Sequence, residues 1–294
     1  MTKNRRKYTV IIIALVIALG VGSYLTVSIY VSRNADAVGP STQGASSTSL
    51  VSSTGDAASI SVQQFSTGTG SDKVTYYVAD VKLESATDLE AAFAMSEFEA
   101  KRVQDTSVIA EANEAVLAIN GDYYSSRSDG VIIRNGVLYR SVPVRTGLAL
   151  YEDGRFEVYE ETEISAEDLL ADGVWNTYSF GPALLVDGVF EDGLDTAEPD
   201  PNTRHTVQGE QPRTGIGVME KNHFVLVVVD GRSPGYSRGV TLSEFAQIFK
   251  ELGCIAAYNL DGGGSATMYF DGQVVNVPSQ KSGERGVSDI LFVR

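Results

Sequence analysis

The apolar positions of this chain change period along its length, and each change predicts an element. Residues 8–31 are an almost unbroken apolar run long enough to span a bilayer, with Lys3, Arg5, Arg6 and Lys7 ahead of it. Cationic residues stay on the cytoplasmic side of a membrane, so residues 1–31 are expected to form a basic stub and a transmembrane signal anchor, with everything after Ser32 outside. Ala35-Asp36-Ala37 offers a small-residue cleavage pattern, which makes a cleaved leader the alternative. The run exceeds the usual signal-peptide core, and that favours the anchor. Over residues 32–72 Ser, Thr, Gly and Ala replace the large apolar side chains, the composition of a flexible spacer.

Residues 73–294 are expected to be the folded body. Residues 74–83 alternate and are rich in Val and Tyr, which predicts a strand, while residues 87–102 have helical spacing with Thr87 or Asp88 as N-cap. A short apolar strand at 115–119 leads into Asn120-Gly-Asp122. The dipeptides Asn135-Gly136, Asp153-Gly154, Asp187-Gly188 and Asp271-Gly272, each between β-forming runs, predict hairpins in series. Residues 213–219 and 224–229 read as a strand pair. Residues 241–252 form the clearest helix: Thr241 and Glu244 suit a capping box, Leu242, Phe245, Ile248, Phe249 and Leu252 share one face, and Gly253 ends it. The succession of strand (224–229), helix and strand (254–260) brings two polar strand ends to one edge if the strands are parallel neighbours with a right-handed crossover. A last strand is expected at 287–293. The fold class this predicts is α+β, with a largely β core, a mixed sheet and few helices.

Composition sharpens the picture. With 294 residues, 43% hydrophobic and 21% charged, there is enough chain for one large or two small cores. The formal net charge is −15 although residues 1–31 carry only cations, so the body is more acidic still. Such a field disfavours nucleic acid as a partner. A single cysteine, Cys254, rules out an intramolecular disulfide, and no Asn-x-Ser/Thr acceptor occurs; both suit a bacterial envelope protein.

Candidate chemistry collects in five polar clusters at strand ends or glycine-bearing turns: Asn120-Gly-Asp122, Arg213 in Gln-Pro-Arg-Thr-Gly, Asp230-Gly-Arg232, Asn259-x-Asp261 with Gly262, Gly263, Gly264, Ser265 and Thr267, and Ser282-Gly-Glu284-Arg285. Singly, each is more often an Asx-turn, a β-turn or a surface ion pair than a catalytic group, but five in one domain are harder to dismiss together. Three consecutive glycines cost entropy and pack nothing, so a chain keeps them where its backbone must take φ > 0 or approach a ligand closely.

The pieces Ala118-Ile-Asn-Gly-Asp-Tyr-Tyr124, Pro212-Arg-Thr-Gly-Ile-Gly217, Val228-Val-Asp-Gly-Arg232, Asn259-Leu-Asp-Gly-Gly-Gly-Ser-Ala-Thr-Met268 and Glu284-Arg-Gly-Val-Ser288 resemble, in that order, the phosphodiester glycosidase family. The resemblance spans residues 74–294 and is strongest toward the C-terminus. It implies hydrolysis of a sugar-1-phosphodiester at the anomeric carbon, giving free sugar and a phosphomonoester. Gln211 and Gly215 stand where Asn and Ala would be expected, and Ala266 where Ser is usual. No charged group is lost, so these departures touch substrate fit more than chemistry.

The residues support such chemistry in their own right. Splitting a glycosyl phosphate ester needs a carboxylate to attack or to activate water, and cations to hold the phosphate. The leaving group is a weakly basic phosphate oxygen, so a strong general acid is not essential. Asp261 is expected nearest the reacting carbon, with Asp122, Asp230 and Glu284 as candidate partners. Arg213 and Arg285, with Arg232, are expected to clamp the phosphate beside an anion-binding concavity of the Gly262, Gly263 and Gly264 amides. Asn120, Asn259, Ser265 and Thr267 would hold sugar hydroxyls or phosphate oxygens. The expected substrate is an envelope glycan or sugar-phosphate polymer such as teichoic acid or capsular polysaccharide, and no cofactor is required.

Two rivals use the same residues differently. Asp122, Asp230 and Asp261 could hold a hard cation, as in a metal-dependent phosphodiesterase or a structural Ca²⁺ site. Zinc is disfavoured, because the only histidines, His205 and His223, lack ligand-pair spacing, although His205 stays a candidate base. Ser265 lacks the Gly-x-Ser-x-Gly elbow of a serine hydrolase, since Thr267 takes the final position. The non-enzymatic alternative is a tethered glycan-binding module stacking Tyr123, Tyr124, Trp175, Tyr178 and Tyr236 on sugar rings, against which ordinary sheet packing accounts for most such rings.

Overall fold

The computed structural model describes residues 46–54, 58–196 and 207–294, all within one compact unit, Gly39–Arg294. The expected anchor (1–31), the first part of the expected spacer, and His205 lie outside the described residues. Among the described residues no helix is long and apolar enough to cross a membrane.

Strands dominate. β1 (Ser46–Thr54), β2 (Ala58–Thr67), β3 (Val74–Leu83) and β4 (Glu90–Phe93) precede helix α1 (Thr106–Ala112) and β5 (Leu117–Asn120). The middle of the chain holds β6 (Gly130–Arg134), β7 (Val137–Val142), β8 (Thr146–Tyr151), β9 (Phe156–Glu160), helix α2 (Ala166–Ala171) and β10 (Val174–Tyr178). There follow β11 (Ala183–Val186), β12 (Val189–Phe190), β13 (Arg213–Glu220), β14 (His223–Val229), helix α3 (Leu242–Glu251), β15 (Ala256–Asn259), β16 (Met268–Phe270), β17 (Gln273–Val274) and β18 (Asp289–Val293). An eight-stranded sheet, β1-β2-β3-β14-β13-β15-β11-β12, faces a five-stranded one, β17-β16-β5-β18-β4; β10-β8-β9 and β6-β7 form smaller sheets. Among the described residues every pairing is antiparallel, so the α+β class expected from the sequence holds while the mixed sheet does not.

β14 explains the layering. All seven of its residues are buried, as a near-continuous apolar run requires of a central strand. Phe224, Leu226 and Val228 share a core with Ile119, Met268 and Leu291 of the five-stranded sheet. Val225, Val227 and Val229 pack on the other side with Phe245 and Phe249 of α3. Ile109 and Ala110 of α1 cover the outer face of the five-stranded sheet at Ala118, Ile290 and Phe292. The order of layers is α3, sheet, sheet, α1.

Local signals held where the elements are local. α3 has the Thr241–Glu244 capping box, and Gly253 ends it at φ 87°. The Asn135-Gly136, Asp187-Gly188 and Asp271-Gly272 pairs take positive φ at both residues, which matches the right-handed twist of the flanking strands. Three expectations are corrected. The helix expected at 87–102 is absent: Ser85 and Asp88 cap a single 3₁₀ turn, β4 pairs with β18, and the helix begins only at Thr106. β14 and β15 are not neighbours, because β13 lies between them, antiparallel to both. The expected spacer is structured over its second half. β2 pairs with β3 residue for residue from Ala58↔Leu83 to Thr67↔Val74, and its small polar residues alternate with Ile60 and Val62, both buried.

A buried Ile or Val side chain is worth about 1.5–3 kcal/mol, so Ile60 and Val62 make the second strand part of the fold. A chain starting at Val74 is therefore expected to unfold at a clearly lower urea midpoint than one starting at Ser46. Equal midpoints would show that β2 is dispensable.

Candidate active site

The topology delivers three strand ends to one edge. β14 and β15 run the same way on either side of β13, so Asp230 follows the end of β14, Arg213 opens β13 opposite Val229, and Asn259 closes β15 opposite Gly215. β5 of the facing sheet ends there too, at Asn120. Asn120 Oδ1 accepts from Thr214 Oγ1 at 2.8 Å and from Thr267 N at 3.2 Å, and its Nδ2 donates to Asp261 O at 2.5 Å. Asp261 N donates to Gly121 O at 3.3 Å. The backbone of Asp261 is thus held on both sides by the Asn120-Gly121 turn. Asn120 is a buried brace and does not reach toward a sugar.

The glycine loop sits tight against β13. Gly263 N donates to Pro212 O at 2.8 Å, and a Cβ on Gly262 would stand 2.6 Å from that same carbonyl. Gly263 takes φ 58°, where a side chain is strained. The loop carries Asp261 at one end and Ser265 at the other, and Arg285 joins them. Its Nη2 lies 3.1 Å from Asp261 Oδ2, 2.5 Å from Ser265 Oγ and 3.3 Å from Gly262 O, with Nε 2.9 Å from Ser265 Oγ. The Asp261 side chain is 14% exposed and that of Arg285 39%, so a ligand can reach the pair. Burial raises the Asp261 carboxyl above its ordinary value, against the pull of Arg285, Ser265 and Arg127. Arg232 also approaches the loop: its guanidinium would be 3.0 Å from a Cβ on Gly263, its Nε and Nη2 donate to Gln211 Oε1 at 2.9 and 2.6 Å, and its backbone is left-handed at φ 58°.

Other expected site residues are committed elsewhere. Arg213 is buried; Nε donates to Val240 O and Nη2 to Gly209 O, and burial lowers its pKa to about 10. Glu284 accepts from Ser107 N and Oγ, at the first turn of α1. Asp230 is buried and accepts from Asn276 Nδ2, Val277 N and Tyr236 Oη; burial raises its pKa to about 6. Asn259 Nδ2 donates to Gly181 O while its Oδ1 has no hydrogen-bond partner, and Thr267 is fully buried with its Oγ1 likewise without one. Asp122 lies 2.9 Å from Arg134 Nη2, and Asp289 2.7 Å from the same atom, all three inaccessible. The three carboxylates of the cation-binding alternative thus do not converge, and among the described residues no group of three His, Cys, Asp or Glu side chains could hold a metal. His223 pairs with Asp80 at the start of β14, the far end from Asp230. Of the aromatic candidates, Tyr124 and Tyr178 are buried, Trp175 Nε1 donates to Leu89 O, and Tyr236 Oη to Asp230.

Sequence reasoning missed Arg127, Arg134, Asn276, Gln280 and Asp289. Arg127 stacks 4.9 Å from the Phe180 ring centroid and 5.9 Å from that of Tyr123. A signal existed for Arg134 and Asp289: each is a lone charge in an otherwise apolar strand, which implies a buried counter-ion.

The phosphodiester glycosidase family model matches residues 113–294. The SPbeta prophage-derived uncharacterized protein YomE of Bacillus subtilis (strain 168) is 33% identical over 192 residues, 63% of this chain and 29% of that protein. Human N-acetylglucosamine-1-phosphodiester alpha-N-acetylglucosaminidase is 40% identical over 67 residues, 23% of this chain and 13% of that protein. The chain therefore spans less than a third of the length of these curated relatives. The zebrafish N-acetylglucosamine-1-phosphodiester alpha-N-acetylglucosaminidase catalytic domain, auto-inhibited by its pro-peptide, shares the fold: TM-score 0.65 at 20% identity, over 85% of this chain and 88% of that one.

Two predictions concern the buried charges. Burial raises the Asp289 pKa against the pull of Arg134, with Asp122 adding to the rise. A raised folded-state carboxyl pKa stabilises fully below the unfolded value and loses that contribution as pH climbs through the folded one. The melting temperature should fall as pH rises from 5 through neutrality, and Asp289→Asn should flatten the fall; an unchanged slope in the variant would refute the assignment. Arg134→Met strands two buried carboxylates and should lower unfolding free energy by about 3–5 kcal/mol in urea titrations.

Proposed function

The chain belongs to the phosphodiester glycosidase family, and from that premise we propose that it hydrolyses a glycosyl phosphodiester at the anomeric C–O bond. The observation that carries this reading is the solvent-reachable Asp261–Arg285 pair at the glycine loop. Asp261 supplies the carboxylate that attacks the anomeric carbon or takes a proton from the attacking water. As the bond to the phosphate oxygen breaks, its electron pair stays on the phosphate, and Arg285 and Arg232 neutralise the charge there. Water provides hydroxyl to the sugar and a proton to balance, so the products are free sugar and a phosphomonoester. A phosphate monoester leaves without a strong general acid. That fits a site in which Asp122, Asp230 and Glu284 all have other partners.

The scheme needs no resident metal, because the arginines supply positive charge at the phosphate. The envelope setting is supported by the sequence alone: the basic residues and apolar run at 3–31 put the body outside the cell, where glycosyl phosphate linkages of teichoic acids or capsular polymers are the accessible class.

The full chain should release reducing sugar, not sugar phosphate, from an N-acetylglucosamine-1-phosphate diester, unchanged by chelator. Asp261→Asn should lose on the order of a thousandfold or more in kcat with its melting temperature kept, as expected when the reacting carboxylate is neutralised. The acid limb of the rate profile should lie above the ordinary carboxylate range, since burial raises Asp261. Sugar phosphate as the product, with chelator blocking its release, would replace this reading with a metal-dependent phosphodiesterase.

A further inference from the structure

Beyond the glycine loop the chain turns back over it. Asn276 is buried and ties three points together: its Nδ2 donates to Asp230 Oδ1 at 2.9 Å and to Ala266 O at 3.0 Å, while its Oδ1 accepts from Met268 N at 2.7 Å. Val277 N donates to both Asp230 oxygens, at 3.2 and 3.1 Å. Tyr236 Oη occupies Oδ2 at 2.9 Å and contacts Tyr77 Oη at 3.1 Å, so Asp230 is anchored from the sheet side as well. Further along, Ser279 Oγ donates to Gly263 O at 3.4 Å, and Gln280 and Gly283 bridge to make a closed turn. The side-chain amide of Gln280 reaches the loop so closely that a Cβ on Gly264 would stand 2.6 Å from Nε2. The segment ends at Arg285, on Asp261 and Ser265.

We infer that residues 276–285 are a strap seated by Asp230 through Asn276, and that Gln280, carried on it, donates to the anionic oxygens of a phosphodiester lying over Gly263 and Gly264. Asp230 is then a positioning residue that acts through Asn276, while Gln280 is a binding residue absent from every motif in the sequence. The geometry favours this over a reacting role for Asp230. All three of its donors point at the carboxylate and leave it buried, whereas Gln280 is exposed at the rim where Arg232 and Arg285 also converge. The inference rests on reading the loop as the phosphodiester site, but binding and proteolysis test it without turnover.

Three measurements on the full chain decide it. Binding of inorganic phosphate, followed by calorimetry, should weaken about tenfold in Gln280→Ala and further in Gln280→Glu, as loss of one hydrogen bond to a charged ligand and then an added like charge require. Trypsin should cleave after Lys281 about tenfold faster in Asn276→Ala than in the parent, while Asp230→Asn, which keeps an acceptor for Asn276, should stay close to the parent rate. In turnover, Asn276→Ala should lose about tenfold in kcat/KM, carried by KM, and Asp230→Asn should stay close to the parent, where Asp261→Asn loses kcat. A thousandfold loss of kcat in Asp230→Asn would make it a reacting group and overturn the positioning role. Phosphate binding that is absent from the parent, or equal in parent and Gln280 variants, would overturn the binding role. Should no diester turn over while binding and cleavage behave as stated, the hydrolase reading fails and the strap stands.

Discussion

One buried cation, the Arg134 guanidinium, holds the smaller sheets to the site. Nη2 meets Asp122 at 2.9 Å and Asp289 at 2.7 Å, and the guanidinium stacks 4.7 Å from the Tyr178 ring centroid while Nη1 donates to Thr177 O. β6, β10, β18 and the turn after β5 are all linked through it. Removing charges from water is expensive, and the interaction repays that only when every oxygen and proton has a partner. Here Tyr124 N and Ser179 N complete Asp122, whereas Asp289 Oδ1 is buried without a hydrogen-bond partner, in keeping with the raised pKa of that carboxyl. What the arrangement secures is a single position for the turn at Gly121, whose N donates to Asp289 O at 2.9 Å and where a Cβ would stand only 2.4 Å from Asp289 Oδ1. That turn in turn holds Asp261.

The glycine-loop end of the molecule is therefore held by backbone contacts and exposes few charges. Asp261 is gripped through its own N and O by Gly121 and Asn120, and only its carboxylate turns to Arg285 and solvent. The glycines matter because the loop lies against β13 with no space for a side chain at Gly262. Two arginines reach the loop, Arg285 by ion pairing with Asp261 and Arg232 beside Gly263 with its guanidinium on Gln211. For the proposed hydrolysis, preorganised charge of this kind would cost no rearrangement as negative charge develops on a leaving phosphate.

Much of the framework was legible because it is local. Turn dipeptides carry their φ requirement within two residues, the α3 capping box spans four, and the apolar run of β14 states its own burial. The helix expected at 87–102 failed where tertiary pairing overrode spacing: β4 is needed beside β18, and a strand and a 3₁₀ turn satisfy the same apolar residues. β2 escaped notice because serines and glutamines at an outer strand resemble a spacer until β3 supplies the ladder.

Site chemistry divides along the same line. The sequence alone determined that carboxylates, arginines and a glycine triplet cluster at strand ends, since each motif is a short contiguous piece. Which of those charges faces solvent is decided by partners far away in the chain. Glu284 meets Ser107 across 177 residues, Arg134 meets Asp289 across 155, and Asp230 meets Asn276 across 46. Arg213 turns to Val240 O for the same reason. A buried charge takes whatever donor or acceptor the packed chain brings within about 3 Å of it, and that choice exists only once the sheets have closed on each other.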